Sequence, residues 1–190
     1  MTSVRNIRAE RDPRDAYLDA ARACILDVGW RRTTLTEVAR RSGVSRMTIY
    51  RAWPDMPTLL GDLMTREWTG LVAGRQPAGP VAAVVATVRA LRENELFVRI
   101  VELDPELLLP YLLARRGRSQ ELVVGLLAEE VADGQAAGEV REGDPVTIAR
   151  ALVLATHGFV LSAQTMVDDR VSLDDLDDQL ATLLTRALAP

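Results

Sequence analysis

Apolar positions recur every three or four residues along most of the chain, and the polar punctuation between the repeats marks where helices start and stop. The first periodic segment carries Leu18, Ala21, Ile25 and Val28 on one side. Asp12 stands before it as a cap, Pro13 opens it, and Gly29 ends it. A short second segment, Leu35, Val38 and Ala39, follows the capping-box pattern Thr34–Glu37 and stops at Gly43. A third begins at Ser45, with Val44 and Ile49 facing inward, and breaks at the Trp53–Pro57 stretch. Asp55 caps a fourth that continues through Leu59, Leu60, Leu63, Met64 and Leu71. Beyond the Pro- and Gly-rich stretch 73–80, a linker by its composition, the pattern predicts helices over 81–92, 95–103, 105–115 and 118–137. Asp144–Pro145 opens a long apolar helix expected to reach about Val167, and Ser172–Asp175 caps the last, which carries Leu173, Leu176, Leu180, Leu183 and Leu184. No stretch alternates as a strand does. The expected fold is all-α, with about nine or ten helices, divided into 1–55 and 56–190.

The segment "TLTEVARRSGVSRMTIYRAW", Thr34–Trp53, needs its own account. Two short helices separated by a glycine turn form a helix-turn-helix. Small Ala39 lets the second helix approach closely, and Gly43 permits the left-handed turn that a side chain resists. The second helix then projects Arg46, Met47, Thr48, Tyr50 and Arg51 away from the core. A helix of this kind fits the major groove of B-DNA, where Arg takes guanine O6 and N7 in a bidentate contact and hydroxyls suit phosphates or base edges. The alternative is a short exposed helix whose polar residues are merely solvated.

Charge favours the first reading. The chain has 190 residues and a net charge of −4, but residues 1–60 hold eleven Arg against seven acidic residues, and the remainder is correspondingly acidic. A basic third on an acidic body points to a polyanionic partner for that third. Arg5, Arg8 and Arg11 precede the first helix, as a minor-groove arm or a charged tail. One cysteine, Cys24, gives no disulfide framework and reads as a core residue; with no signal-peptide pattern and no bilayer-length apolar run, a cytoplasmic location is expected.

The stretch "ILDVGWRRTTLTEVARRSGVSRMTIYRAWPDMPTLL", Ile25–Leu60, resembles the TetR family of transcriptional regulators. It has a helix ending in Gly plus an aromatic, a Thr-Thr pair, the A-x-x-S-G-V-S run, then T-I-Y and a tail ending in Leu-Leu. It departs from the family at Trp53, where Phe or Val is usual; Ser42 fits the family run but departs from the general helix-turn-helix pattern, where an apolar residue is usual at that place. Over the other two-thirds the likeness is one of layout. The resemblance implies a homodimer on a palindromic double-stranded operator, most often a repressor released by a small ligand. By position, Thr34 and Ser45 would bond phosphates, Tyr50 would contact the backbone, and Arg46, Thr48 and Arg51 would read or position on the groove.

In the body, one apolar face with Leu152, Ala155 and Phe159, and a second with Leu176, Leu180 and Leu183, are expected to pair with a second copy; the alternative is that they finish the chain's own core. Trp68, Phe97, Glu102, Tyr111, His157 and Gln164 are the candidates to line a pocket for an unknown, mostly apolar effector. A protein partner in place of that ligand is the alternative. No phosphate loop, nucleophile elbow or spaced metal-ligand set is present, so neither an enzyme, a cofactor nor a metal is expected. The Asp residues at 168–169 and 174–178 read as helix-start capping.

Overall fold

A computed structural model of the chain describes residues 12–73 and 79–190. The N-terminal arginines and most of the 73–80 linker lie outside the described residues. Within them the chain is helical, with ten α-helices: α1 (Pro13–Val28), α2 (Leu35–Ser42), α3 (Arg46–Ala52), α4 (Met56–Ala73), α5 (Pro80–Glu93), α6 (Glu95–Leu103), α7 (Leu109–Leu113), α8 (Arg118–Ala136), α9 (Pro145–Leu161) and α10 (Leu173–Leu188). The chain forms two compact units, the first ending at Leu63 and the second beginning at Met64, so the division falls inside α4. The buried residues explain why the first unit extends past residue 55: Leu59 and Leu63 are fully buried, and Asp62 accepts a 2.7 Å hydrogen bond from the Trp53 indole.

Capping residues start the helices where the sequence places them. Asp12, Thr34, Ser45, Asp55, Asn94, Asp144 and Ser172 each accept a backbone N–H of the turn they open. The box at Ser172 closes in both directions, because Asp175 accepts from the Ser172 amide in return. The box at Thr34 is only half made. Both Glu37 oxygens turn forward to the Arg40 guanidinium, at 2.9 and 2.6 Å.

Two helices end earlier than periodicity suggests. Residues 105–115 split into a 3-10 turn, Pro105–Leu107, and the short α7, because Pro110 has no N–H to continue a helix from the preceding turn. The helix after Pro145 stops at Leu161, and Ala163–Met166 form a 3-10 turn. There the Ser162 carbonyl accepts both the Thr165 amide and its hydroxyl, which closes the tighter turn.

One core cluster of the second unit is built from α5, α8, α9 and α10: Val88, Val124, Leu127, Val131, Ile148, Ala149, Leu152, Leu180, Leu184 and Leu188; α6 buries Leu96, Phe97 and Ile100 besides. Val140, in the loop between α8 and α9, joins the cluster. That loop needs the glycine at 134. A Cβ there would meet Val140 Cγ2 at 2.6 Å, and the Gly134 carbonyl takes the amides of both Glu139 and Val140. A buried ion cluster pins α5 to α10. Asp177 is 1% exposed and accepts from Arg89 Nε at 2.6 Å and from Arg92 Nη2 at 2.6 Å.

Candidate nucleic-acid interface

The first unit presents α3. Gly43 closes α2 in the left-handed region, φ +73° and ψ 20°, and the Val44 amide reaches back to the Ala39 carbonyl. A Cβ at 43 would meet nothing within 4 Å, so the turn's dihedral angle, not crowding, demands glycine. Ser42, the polar departure, satisfies its hydroxyl on the Val38 carbonyl at 2.8 Å. The two threonines divide their work: buried Thr33 donates to the Gly29 carbonyl, and Thr34 caps α2.

Trp53 is buried, and the edge-to-face packing of Tyr17 on it, centroids 6.3 Å apart, anchors the end of α3 to α1. Arg14 lies over the same ring. The indole N–H bond to Asp62 is one that Phe or Val could not make.

Ile49 is wholly buried and fixes which side of α3 faces out. Arg46, Met47, Tyr50 and Arg51 are exposed, and none of them makes a hydrogen bond or ion pair among the described residues. The α2 arginines differ. Arg40 is paired with Glu37 and Arg41 with Asp27 on α1, both at the surface. The Arg40 hydrogen bond holds the Glu37 carboxyl below its ordinary range, and the Asp27 hydrogen bond raises Arg41. Arg46 and Arg51, on the outward face of α3, are left unneutralised by contrast. Thr48 is placed differently from its neighbours: it is half-buried, and its hydroxyl lies 2.9 Å from Ser45 Oγ. Its hydroxyl is thus shared with the cap of its own helix.

Residues 18–63 match the family described as bacterial regulatory proteins, tetR family. Over 195 aligned residues the chain is 33% identical to an uncharacterized HTH-type transcriptional regulator of Mycobacterium bovis, covering 99% of this chain and 97% of that one. The chain belongs to the TetR family. Among solved structures it is similar to the R. erythropolis TetR-family transcriptional repressor QsdR, with a TM-score of 0.61 at 20% identity, covering 90% of this chain and 94% of that one. The structure of SmeT in complex with triclosan gives a TM-score of 0.59 at 22% identity, covering 95% and 93%. This TetR-family regulator is thus a DNA-binding transcriptional regulator with an all-α fold, and not an enzyme. No helix among the described residues is long and apolar enough to cross a membrane.

The body candidates fall into different places. Phe97 is buried, Trp68, Tyr111 and His157 are half-buried, and Glu102 and Gln164 are exposed. Glu102 sits on the side of α6 away from Leu96 and Ile100, and Gln164 stands on the 3-10 turn after α9, so neither points into the chain's own core. Arg99 on α6 keeps its Nε buried with no hydrogen-bond partner. Sequence periodicity could not reveal this, because an arginine beside an apolar stripe ordinarily extends its head to water.

The two apolar faces also divide. Leu152 and Leu180 are buried in the chain's own core, so they add no burial to a contact with another copy. Phe159 and Leu176 are half-buried, while Ala155 and Leu183 are exposed. The outward face of α9 runs instead through Ala151, Leu154, Ala155 and Gly158, with Leu154 67% exposed. Their spacing of three, one and three residues was the available signal for this face, one step round the helix from Leu152.

Proposed function

We propose that the regulator acts as a homodimeric repressor: it holds a palindromic operator with α3 of each protomer in the major groove and lets go when a small, mostly apolar ligand binds its second unit. The observation that carries the DNA half is the unneutralised face of α3, Arg46, Tyr50 and Arg51, beside α2 arginines that are already paired. Arg46 and Arg51 suit guanine edges or phosphates, and the Tyr50 hydroxyl suits a phosphate. The hydroxyls of Thr34 and Ser45 lie at helix starts, where phosphates are commonly held.

Dimerisation rests on the face of Ala151, Leu154, Ala155 and Gly158 together with exposed Leu183 on α10. Leu154 and Leu183 are large apolar side chains left exposed to water, which a second copy would cover. For the ligand, the triclosan complex of SmeT supplies a precedent in a protein of similar fold, and the repressor QsdR one for repression. The middle helices of this chain are rich in Leu and Val, which suits an apolar molecule. Helix α4 supplies residues to both units, so a ligand that shifts its second half would change how the first unit meets DNA.

The test begins with selection of bound genomic fragments by the purified protein, which yields the operator. Ligands found by thermal shift are then scored by operator affinity. Reciprocity is required: a ligand that weakens DNA binding by some factor must itself bind the DNA complex more weakly by that factor. A ligand that stabilises the protein and leaves operator affinity unchanged would remove the release mechanism.

A further inference from the structure

We infer that Met47 is a specificity-determining residue, reading the 5-methyl group of a thymine on the floor of the major groove. The inference rests on the placement of α3 in that groove and adds what the helix reads there besides hydrogen-bonding edges.

Position on the helix carries the argument. Ile49 points straight into the core and is 0% exposed. At about 100° per residue, Met47 and Arg51 stand about 160° from Ile49, one on each side of the point directly opposite it. These two side chains are the ones aimed most directly outward. Arg51 is a long cation able to swing to a phosphate or a base edge. Met47 is an unbranched apolar side chain that is 65% exposed. It stands between Arg46 and Thr48 in sequence and beside Tyr50 and Arg51 on the helix face.

An apolar residue at the centre of a cationic, DNA-facing surface gains nothing from water and nothing from phosphate. The major groove offers it one apolar partner, the thymine methyl; guanine, cytosine and adenine present only donors and acceptors there. A flexible thioether chain adapts its shape to a methyl more readily than a branched residue does. Contact removes both apolar surfaces from water, so the contact selects thymine over the other three bases.

The experiment uses the full-length protein and its selected operator. Each thymine is replaced in turn by deoxyuridine, which keeps every Watson–Crick and groove hydrogen-bonding group and removes only the methyl. Wild-type protein should lose affinity at one symmetry-related thymine position, by roughly fourfold per half-site, the worth of burying one methyl group. Met47→Ala should bind the thymine and uracil operators equally at that position while keeping its guanine preferences elsewhere. Met47→Leu should restore discrimination. Because Met47 is exposed, these variants should melt as the wild type does. Two results would overturn the inference: no thymine position at which uracil weakens the wild type, or a Met47→Ala protein that still discriminates there. Failure of the protein to select any sequence would overturn the groove placement of α3 and this inference with it.

Discussion

Gly43 and Met47 show two kinds of residue that a sequence exposes to different degrees. The glycine is legible because its reason is local. A two-helix pattern broken at one residue requires a left-handed angle, and the structure has it at φ +73°. Gly43→Ala should therefore destabilise the protein by about 1 kcal/mol, and Gly43→Asn by less, in chemical denaturation, since the space at that site is open and only the dihedral resists. Equal losses for both variants would point to crowding instead. Thr48 was legible as a member of the helix, but its contact to the cap was not. Its hydroxyl goes to Ser45, a contact set by rotamer choice that residue spacing does not encode. Trp53 was visible as a departure from the family, and its reason, a hydrogen bond to Asp62 nine residues on, depends on tertiary placement.

Element starts were easy to read and element ends less so. Caps are side-chain chemistry at one position, whereas the ends at Leu161 and before Pro110 come from competition between two hydrogen-bonding patterns. The caps also make a pH prediction. Asp55, Asp144 and Asp175 are held below the ordinary carboxylate range by hydrogen bonds from Thr58, Thr147 and Ser172, side chain first and backbone second. A lowered folded pKa means that the stabilisation is complete above the unfolded value, near about 3.9, and is lost as pH falls through the lower folded value. Helix content followed by circular dichroism should fall on that acid side, and Asp144→Asn should flatten the dependence. An unchanged acid profile in the variant would remove the cap from this account. The α5–α10 clamp was not anticipated, although Asp177 interrupts the leucine stripe of α10 and Arg89 and Arg92 lie three residues apart on α5. Arg92 is only 12% exposed. Asp177→Ala should thus cost about 3–5 kcal/mol, because it strands that buried cation, and the loss should appear in denaturant unfolding of the second unit. A cost under about 1 kcal/mol would mean that water reaches the cluster and screens it, as at a surface pair.

For the whole molecule, the sequence carried the fold class and the position of the DNA-binding unit, because both follow from periodicity, punctuation and the split of charge. It blurred the surfaces of the body. Leu152 and Leu154 are both apolar residues of one helix, and only packing shows that the first is buried in the core and the second faces water. The association surface is therefore best tested at the outward positions. Leu154→Glu combined with Leu183→Glu should give a folded monomer in sedimentation, with operator affinity much reduced, whereas a dimer that persists would place the interface elsewhere. The central claim, that this regulator reads DNA through the outward face of α3, is tested most directly by measuring the affinity of wild-type and Arg46→Ala proteins for the selected operator and for operators altered one base pair at a time. The account predicts that Arg46→Ala loses about 1–3 kcal/mol and relaxes its preference at one position of each half-site. Unchanged affinity together with unchanged preference at every position would contradict it.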